Sequence, residues 1–150
     1  EKSLCAEVVS HARTDCLDYS GLTSLPEFIE VVRHACFLVG NETSAVHIAA
    51  AVGTPSVCIL GGGHYGRFMP YPDHLEGVKP LVAMSRMECF NCNWKCVQTE
   101  NRDEPYPCIT GVSVEQVMEK VARILDSSGN KDVAMQDVHV DFQSKNGVLQ

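Results

Sequence analysis

The sequence predicts an α/β fold built on a parallel sheet, and three observations near its centre support that class. The run 36–39 is apolar without interruption, as expected of a parallel strand that helices cover on both faces. A polar turn and an Ala-rich helix over 44–52 follow, and a second apolar strand is predicted over 56–60. Gly53 and Pro55 separate that helix from that strand. Strand, helix and strand in this order are typical of a right-handed crossover in a parallel sheet.

The rest of the chain extends this pattern on both sides. Helical periodicity predicts helices over 3–12, 25–34 and 113–125. Short strands are predicted over 15–19 and over 78–83, where Pro80 breaks the second one. Ser24 and Glu27 form a capping-box pattern at the start of the second helix. The loop 61–77 is long enough to suggest a functional role.

Length and composition favour one globular domain with a short tail. A chain of 150 residues with 45% hydrophobic content can bury one core, which we assign to 1–126, leaving 127–150 as a tail. The net charge of -7 argues against binding to nucleic acid. No stretch approaches the ~20 apolar residues of a membrane span, and residues 1–10 lack the layout of a signal peptide. These features predict a cytoplasmic protein.

The eight cysteines divide into two groups. Four are isolated within apolar segments and are expected to be small buried side chains: Cys5, Cys16, Cys36 and Cys58. Four form a C-x2-C-x3-C-x11-C cluster: Cys89, Cys92, Cys96 and Cys108. Four thiolates satisfy the tetrahedral preference of zinc, so a structural zinc site is the leading interpretation of this cluster. Reduced thiols without metal and a disulfide pair are the alternatives, because the spacings differ from those of a standard zinc ribbon.

Ligand-binding residues are expected where the strands of the sheet end. In open parallel sheets ligands lie outside the carboxyl ends of the strands, which directs attention to 41–47 and 61–67. The first-turn N–H groups of the helix over 44–52 are unpaired donors at the positive end of a helix dipole, suited to a phosphate. A helix cap at Glu42 to Ser44 and a semi-buried structural role for His47 are the alternatives.

A family resemblance rests on one stretch of the chain, GLTSLPEFIEVVRHACFLVGNETSAVHIAAAVGTPSVCILGG. It is similar to the carboxyl-terminal domain of family 9 glycosyltransferases, the lipopolysaccharide heptosyltransferase-like proteins, and the similarity extends over about residues 5–125. The family pattern Asn-Asp-Ser-Gly-Pro-x-His corresponds here to NETSAVH at 41–47. Glu42 stands where Asp is usual and Ser44-Ala45 where Gly-Pro is usual, which leaves the sugar and base of the donor open.

The resemblance implies a Rossmann-like parallel sheet that forms the carboxyl-terminal, donor-binding half of an inverting glycosyltransferase of the GT-B type. It implies a nucleotide-diphosphate sugar as donor and a lipopolysaccharide, surface-glycan or lipid-linked acceptor. The donor-binding residues that we predict are Asn41, Glu42, Thr43, Ser44, His47, Gly61, Gly62 and Arg67. Within this set the resemblance assigns Thr43, Ser44 and His47 to the diphosphate, and like-charge repulsion directs Glu42 to a hydroxyl.

In such a family the acceptor and the catalytic base belong to an amino-terminal domain. A chain that opens on a helix lacks the strand expected before it, so we expect this chain to be the back part of a longer protein. The prediction is therefore that no catalytic residue lies in this chain and that the fragment alone is inactive. Transfer needs no cofactor, and any zinc would be structural. Peripheral association of the full protein with the inner face of the bacterial inner membrane stays open.

Two functions of other classes remain as alternatives. The first is a noncatalytic nucleotide-sugar-binding module, which an amino-terminal α/β domain with a carboxylate in the cleft would argue against. The second is a zinc-stabilised interaction domain built around 89–108, which predicts tight zinc binding and no nucleotide binding.

Overall fold

The computed structural model describes residues 2–101 and 104–127. Its helices and strands in chain order are α1 (Lys2–His11), α2 (Leu25–His34), β1 (Leu38–Asn41), α3 (Ser44–Val52), β2 (Ser56–Ile59), β3 (Leu81–Ala83), α4 (Pro107–Thr110) and α5 (Val114–Ser127). The predicted boundary between domain and tail at 126–127 meets the end of α5, and residues 128–150 lie outside the described residues.

The three strands form one parallel sheet in the order β1-β2-β3. Leu38 pairs with Ser56 at one end, and Asn41 pairs with Ile59 at the other, so the two strands run in register over their whole length. Ile59 in turn pairs with Ala83 of β3. The α/β class with a parallel sheet is thus confirmed. All three carboxyl ends meet at one edge of the sheet, where the loops after β1 and β2 begin.

Alternation along β2 buries both of its faces. Val57 packs on one side with Val121 and Ile124 of α5, whereas Cys58 packs on the other side with Val46 of α3. All of these side chains are buried, which explains why the strand contains no polar residue between Ser56 and Ile59. The sheet is therefore covered by α3 on one face and by α5 on the other.

The helices begin and end where their capping residues predict. At α2, the backbone N–H of Ser24 donates to Glu27 Oε2 over 2.7 Å, which confirms the capping box. At the end of α3, Gly53 takes a left-handed conformation with φ of 84°, which disfavours residues with a Cβ. The next residue, Thr54, is buried and donates its hydroxyl to Val32 O over 2.8 Å, which ties α3 to α2.

The predicted strand over 15–19 is wrong, since the structure shows no regular element there. Leu17 is 74% exposed, and α1 buries none of its residues, so this part of the chain has no apolar surface to pair with among the described residues. The strand predicted over 78–83 is shortened to β3, because Pro80 has no N–H to give to the sheet.

The isolated cysteines also differ from expectation. Cys58 is buried as predicted, but Cys16 and Cys36 are exposed and Cys5 is half-buried. Cys36 precedes β1 instead of lying within it, because the strand begins two residues later than its apolar run suggested. None of the helices among the described residues has both the length and the apolar character needed to cross a bilayer.

Candidate functional site

A cavity of about 400 Å³ lies at the carboxyl edge of the sheet. Its lining consists of Glu42, Thr43, Ser44, His47, His64, Phe68 and Trp94. The first four are residues that the sequence predicts for donor binding, and the structure brings them together around one space. Asn41 ends β1 just before them and is exposed, with its carbonyl accepting the Thr43 N–H over 2.7 Å.

The amino terminus of α3 opens into this cavity without a side-chain cap. Thr43 is the N-cap residue and has the extended backbone that capping requires, with φ of -134° and ψ of 177°. Its side chain nevertheless makes no capping hydrogen bond. The first turn of α3 also carries no acidic side chain. Capping by Thr43, one of the alternatives for this motif, is therefore not what the structure shows, and the helix end can receive an anion.

His47 lies one turn into α3 and is held by Tyr71. Its Nδ1 is 2.6 Å from the Tyr71 hydroxyl, and the two rings stack with centroids 5.7 Å apart. Burial raises the pKa of Tyr71, with the Cys58 thiol adding to the effect, so the hydroxyl stays protonated at neutral pH and can donate to Nδ1. A histidine that accepts at Nδ1 carries its proton on Nε2. His47 then has a ring N–H to offer to a ligand in the cavity.

Glu42 places a carboxylate in the same cavity, and one of its oxygens lacks a hydrogen-bond partner. Its Oε1 is buried and has no hydrogen-bond partner. Burial raises the pKa of Glu42, and the nearby His64 and His47 oppose that shift. Burial, reinforced by Glu42, also raises the pKa of Cys58 to about 12, so that thiol stays protonated. A buried acceptor without a partner calls for a donor, and a hydroxyl of a ligand would supply one.

His64 is fixed by two hydrogen bonds that determine its tautomer. The indole N–H of Trp94 donates to His64 Nδ1 over 3.3 Å. Nδ1 must therefore accept, which places the proton on Nε2, and that nitrogen lies 2.7 Å from Asn93 Oδ1. Both ring nitrogens are thus engaged within the protein. His64 differs in this respect from His47, whose Nε2 has no partner among the described residues.

We define residues 87–97 as the Cys-rich segment. Aromatic rings of this segment pack directly against the three glycines after β2. A Cβ at Gly62 would overlap the Phe90 ring, and a Cβ at Gly63 would overlap Trp94. A Cβ at Gly61 would come within 2.7 Å of Trp94 Cη2. All three glycines are buried. The predicted donor-binding residues Gly61 and Gly62 are not among the residues that line the cavity, and their lack of a side chain leaves room for these rings.

Backbone hydrogen bonds hold the Cys-rich segment against that turn. The N–H of Asn91 donates to Gly62 O over 2.8 Å, and the N–H of Asn93 donates to Gly63 O over 2.9 Å. Asn91, Asn93 and Trp94 all have positive φ values, of 69°, 53° and 60°. Asparagine tolerates this conformation well, whereas a bulky residue such as Trp94 does so rarely.

Arg67 and the cysteine cluster lie outside the cavity lining. Arg67 is exposed, and its guanidinium sits 4.9 Å from the centroid of the Phe68 ring, which does line the cavity. The four clustered cysteines are free thiols, and Cys108 Sγ accepts the Gly62 N–H over 3.4 Å. Within 2–101 and 104–127, no three His, Cys, Asp or Glu side chains are grouped so that they could hold a metal ion. The zinc site stays a prediction of the spacing.

Phe68 and Trp94 are the cavity residues that sequence reasoning missed. Phe68 and His64 both lie in the loop 61–77, whose length suggested a functional role. Trp94 lies far from α3 in sequence and reaches the cavity through the fold of the Cys-rich segment. The sequence held one signal, because asparagines flank Cys92 on both sides, at Asn91 and Asn93. Asparagine is common in left-handed turns. That pattern predicts a tight turn but does not say which surface the turn meets.

Comparison with known proteins identifies the family. The model of glycosyltransferase family 9 (heptosyltransferase) matches residues 1–97, which is 97 of the 150 residues. No curated protein and no solved structure gives a significant match. The matched range contains all seven residues that line the cavity, together with the Cys-rich segment. The chain therefore belongs to glycosyltransferase family 9, the heptosyltransferase family.

Proposed function

We propose that the cavity at the amino terminus of α3 binds the nucleotide-sugar donor of a glycosyl-transfer reaction. Family membership indicates glycosyl transfer as the activity. The observation that carries the proposal is the uncapped end of α3, which opens into a cavity of about 400 Å³ together with His47 and Glu42. Helix dipole, free N–H groups and a histidine N–H together suit a diphosphate.

Different polar groups in the cavity would bind different parts of the donor. Thr43, Ser44 and the first-turn N–H groups of α3 would hold the diphosphate, with the Nε2–H of His47 one turn further along. Glu42 would repel a phosphate but can accept a hydrogen bond from a sugar or ribose hydroxyl through its unpartnered Oε1. The cavity then orients the donor with its charged centre at the helix and a hydroxyl at Glu42.

This arrangement would assist an inverting transfer on the side of the leaving group. The acceptor oxygen forms a bond to the anomeric carbon as the bond from that carbon to the diphosphate oxygen breaks. The nucleoside diphosphate leaves with the electron pair of that bond, and the acceptor proton passes to a base. Preorganised donors at α3 and His47 would stabilise the negative charge that grows on the leaving oxygen.

The finer assignment is also part of this proposal. We infer that the chain is the donor-binding half of a GT-B enzyme, that the base and the acceptor site belong to another domain, and that the acceptor is a lipopolysaccharide or another surface glycan. A cytoplasmic reaction at the inner face of the bacterial inner membrane would fit these substrates. Membership of the heptosyltransferase family supports this assignment.

Calorimetric titration of the chain with ADP-, UDP- and GDP-sugars tests the proposal, with inorganic pyrophosphate as the minimal ligand. We expect one of the nucleotide sugars to bind with a stoichiometry of about one, and pyrophosphate to bind more weakly at the same site. Absence of binding by every ligand would contradict the donor site. A full-length protein that binds a donor but transfers no sugar to any acceptor would favour the noncatalytic module instead.

A further inference from the structure

Three aromatic side chains form a continuous part of the cavity lining. The rings of Phe68 and Trp94 both meet His64 edge to face, with centroids 5.8 Å away in each case and interplanar angles of 80° and 74°. We call His64, Phe68 and Trp94 the aromatic wall. It lies in the same cavity as the α3 terminus but offers a different surface, because its members are rings and not anion-binding groups.

The aromatic wall has no unused hydrogen-bond donor when His64 is in the tautomer that its two hydrogen bonds require. Nδ1 of His64 accepts from Trp94, and Nε2 donates to Asn93. An anion gains nothing from this wall, whereas an uncharged ring gains apolar and π contacts.

The chain adopts an unfavourable backbone conformation to place Trp94 in this wall. A bulky residue at φ of 60° is a backbone outlier, and such outliers concentrate at functional sites. Packing compensates: the ring covers Gly61 and Gly63, and it stacks on Tyr106 at a centroid distance of 5.6 Å and an angle of 23°. These packing contacts therefore hold the Trp94 ring beside the cavity.

We propose that Trp94, with Phe68, is a specificity-determining residue that binds an uncharged ring of the donor, while His64 and Asn93 are positioning residues that hold Trp94 in place. The inference rests on the proposed donor site and extends it. With the diphosphate at α3, the ring that meets the wall is either the nucleobase or the transferred sugar. Both present an uncharged face to an aromatic surface.

The variant Trp94→Ala tests the ring contact by calorimetry with three ligands. Pyrophosphate has no ring, so its Kd should match that of the wild-type chain. The nucleotide sugar should bind about 10-fold more weakly, as expected for loss of one ring contact. Titration with the nucleoside diphosphate distinguishes the base from the sugar as the ring that meets the wall. Its affinity should fall by the same factor if the wall binds the base, and should not change if the wall binds the sugar.

Phe90→Leu is the matched control, because Phe90 also packs on one of the glycines after β2 but does not line the cavity. It should lower the melting temperature without changing the Kd of any ligand that the folded chain binds. Unchanged nucleotide-sugar affinity in folded Trp94→Ala, with pyrophosphate still bound, would overturn the inference and leave the donor site standing. If neither pyrophosphate nor any nucleotide binds the wild-type chain, the donor site and the inference both fall.

The positioning role has a readout that simple packing would not change. Long-range ¹⁵N NMR spectra of the wild-type chain at neutral pH should show His64 in the Nε2–H tautomer alone. Trp94→Phe keeps an aromatic ring but removes the indole N–H, so the ¹⁵N resonance of His64 Nδ1 should shift as it loses its donor. Nucleotide-sugar affinity should fall less than in Trp94→Ala. An Nδ1–H tautomer in the wild type would contradict the network, as would identical His64 spectra in both proteins.

Discussion

His47 and Glu42 bring opposite electrostatic requirements into one cavity. His47 offers a donor that attracts an anion, whereas Glu42 holds a buried carboxylate oxygen that lacks a donor. Neither side chain is satisfied by the protein alone, and this distinguishes both from His64, whose two nitrogens are bonded. At the scale of single residues, the unsatisfied groups identify the parts of the cavity that a ligand completes.

Replacement of His47 by Ala should weaken pyrophosphate and donor binding by about 10- to 100-fold, because a hydrogen bond to a charged group contributes about 1.5–3 kcal/mol. Stability should change little, since His47 is only half-buried. Calorimetry and urea denaturation measure the two effects. Tyr71→Phe is the matched control: it removes the hydroxyl that holds Nδ1 but keeps the stacked ring, so its effect on affinity should be smaller. Equal affinity in His47→Ala would remove His47 from the site.

Glu42→Gln should separate stability from binding through its pH dependence. Because burial raises the pKa of Glu42 in the folded protein above 4.5, the fold prefers the neutral acid. The cost of the buried carboxylate is absent below pH 4.5 and grows as pH rises through the raised pKa.

Glu42→Gln should therefore increase the free energy of unfolding at pH 7, and this gain should vanish below pH 4.5. Urea denaturation at both pH values measures it. At neutral pH the same variant should bind the nucleotide sugar more weakly, since an amide is a poorer acceptor than a carboxylate. Lower stability of Glu42→Gln at pH 7 would contradict the proposed cost of this carboxylate.

At the scale of elements, the turn after β2 and the Cys-rich segment depend on each other. The glycines leave room for Phe90 and Trp94, and the segment returns backbone N–H groups to Gly62 and Gly63. The sequence shows both parts, a glycine run and a cysteine cluster, but their contact appears only in the folded chain. The glycines therefore have a packing role that is separate from the donor binding predicted for Gly61 and Gly62.

Gly62→Ala should destabilise the protein by about 1–3 kcal/mol, because its Cβ would overlap the Phe90 ring in a buried turn. Gly40→Ala in β1 is the matched control. A Cβ there meets Leu38 Cδ2 at 3.5 Å, which is an ordinary contact, and Gly40 has no positive φ. We expect the control to change stability by about 0.5 kcal/mol or less. Similar urea midpoints for both variants would show that the segment shifts at little cost.

The cysteine spacing still predicts a structural zinc ion, and metal analysis of the purified chain tests it. The prediction requires one zinc per chain and a lower melting temperature after chelation. It also requires the thiols to come together, because the structure described here holds Cys108 Sγ against the Gly62 N–H. Zinc-free protein in which the four clustered cysteines react with a disulfide reagent would contradict the prediction and favour the alternative of reduced thiols without metal.

Helix boundaries were the most predictable elements, because local signals specify them. The Ser24 and Glu27 box places the start of α2, and Gly53 places the end of α3, so both helices occupy their predicted ranges. Strands depended on partners that the sequence does not reveal. The segment 15–19 formed no strand, whereas β2 formed because β1 and β3 lie on either side of it.

For the whole molecule, the parallel sheet determines where chemistry can occur. It brings the loops after β1 and β2 to one edge, and the cavity there receives residues from α3, the following loop and the Cys-rich segment. The chain carries a net charge of -7, so the proposed binding of an anionic donor would depend on this local arrangement and not on overall electrostatic attraction. We therefore expect the cavity to attract an anionic ligand only at short range.

We expect the 150-residue chain alone to bind a donor without transferring its sugar. Among the described residues that line the cavity, Glu42 alone carries a carboxylate, and the proposal assigns it to a donor hydroxyl. The proposal assigns His47 to the diphosphate, and the hydrogen bonds of His64 engage both of its ring nitrogens within the protein. Assays of nucleoside-diphosphate release with glycan acceptors should show no activity above the background of hydrolysis. Transfer by this chain alone would contradict the separation of donor and acceptor sites between two domains.

The sequence by itself determined the parallel α/β class, the bounds of α2 and α3, and the cluster Glu42, Thr43, Ser44 and His47. These depend on residues close together in the chain, whose periodicity and capping act locally. Only the tertiary structure decided that Trp94 and Phe68 join this cluster and that Trp94 donates a hydrogen bond to His64. Those contacts join residues about 20–50 positions apart, and which surfaces meet over such separations depends on how the whole core packs.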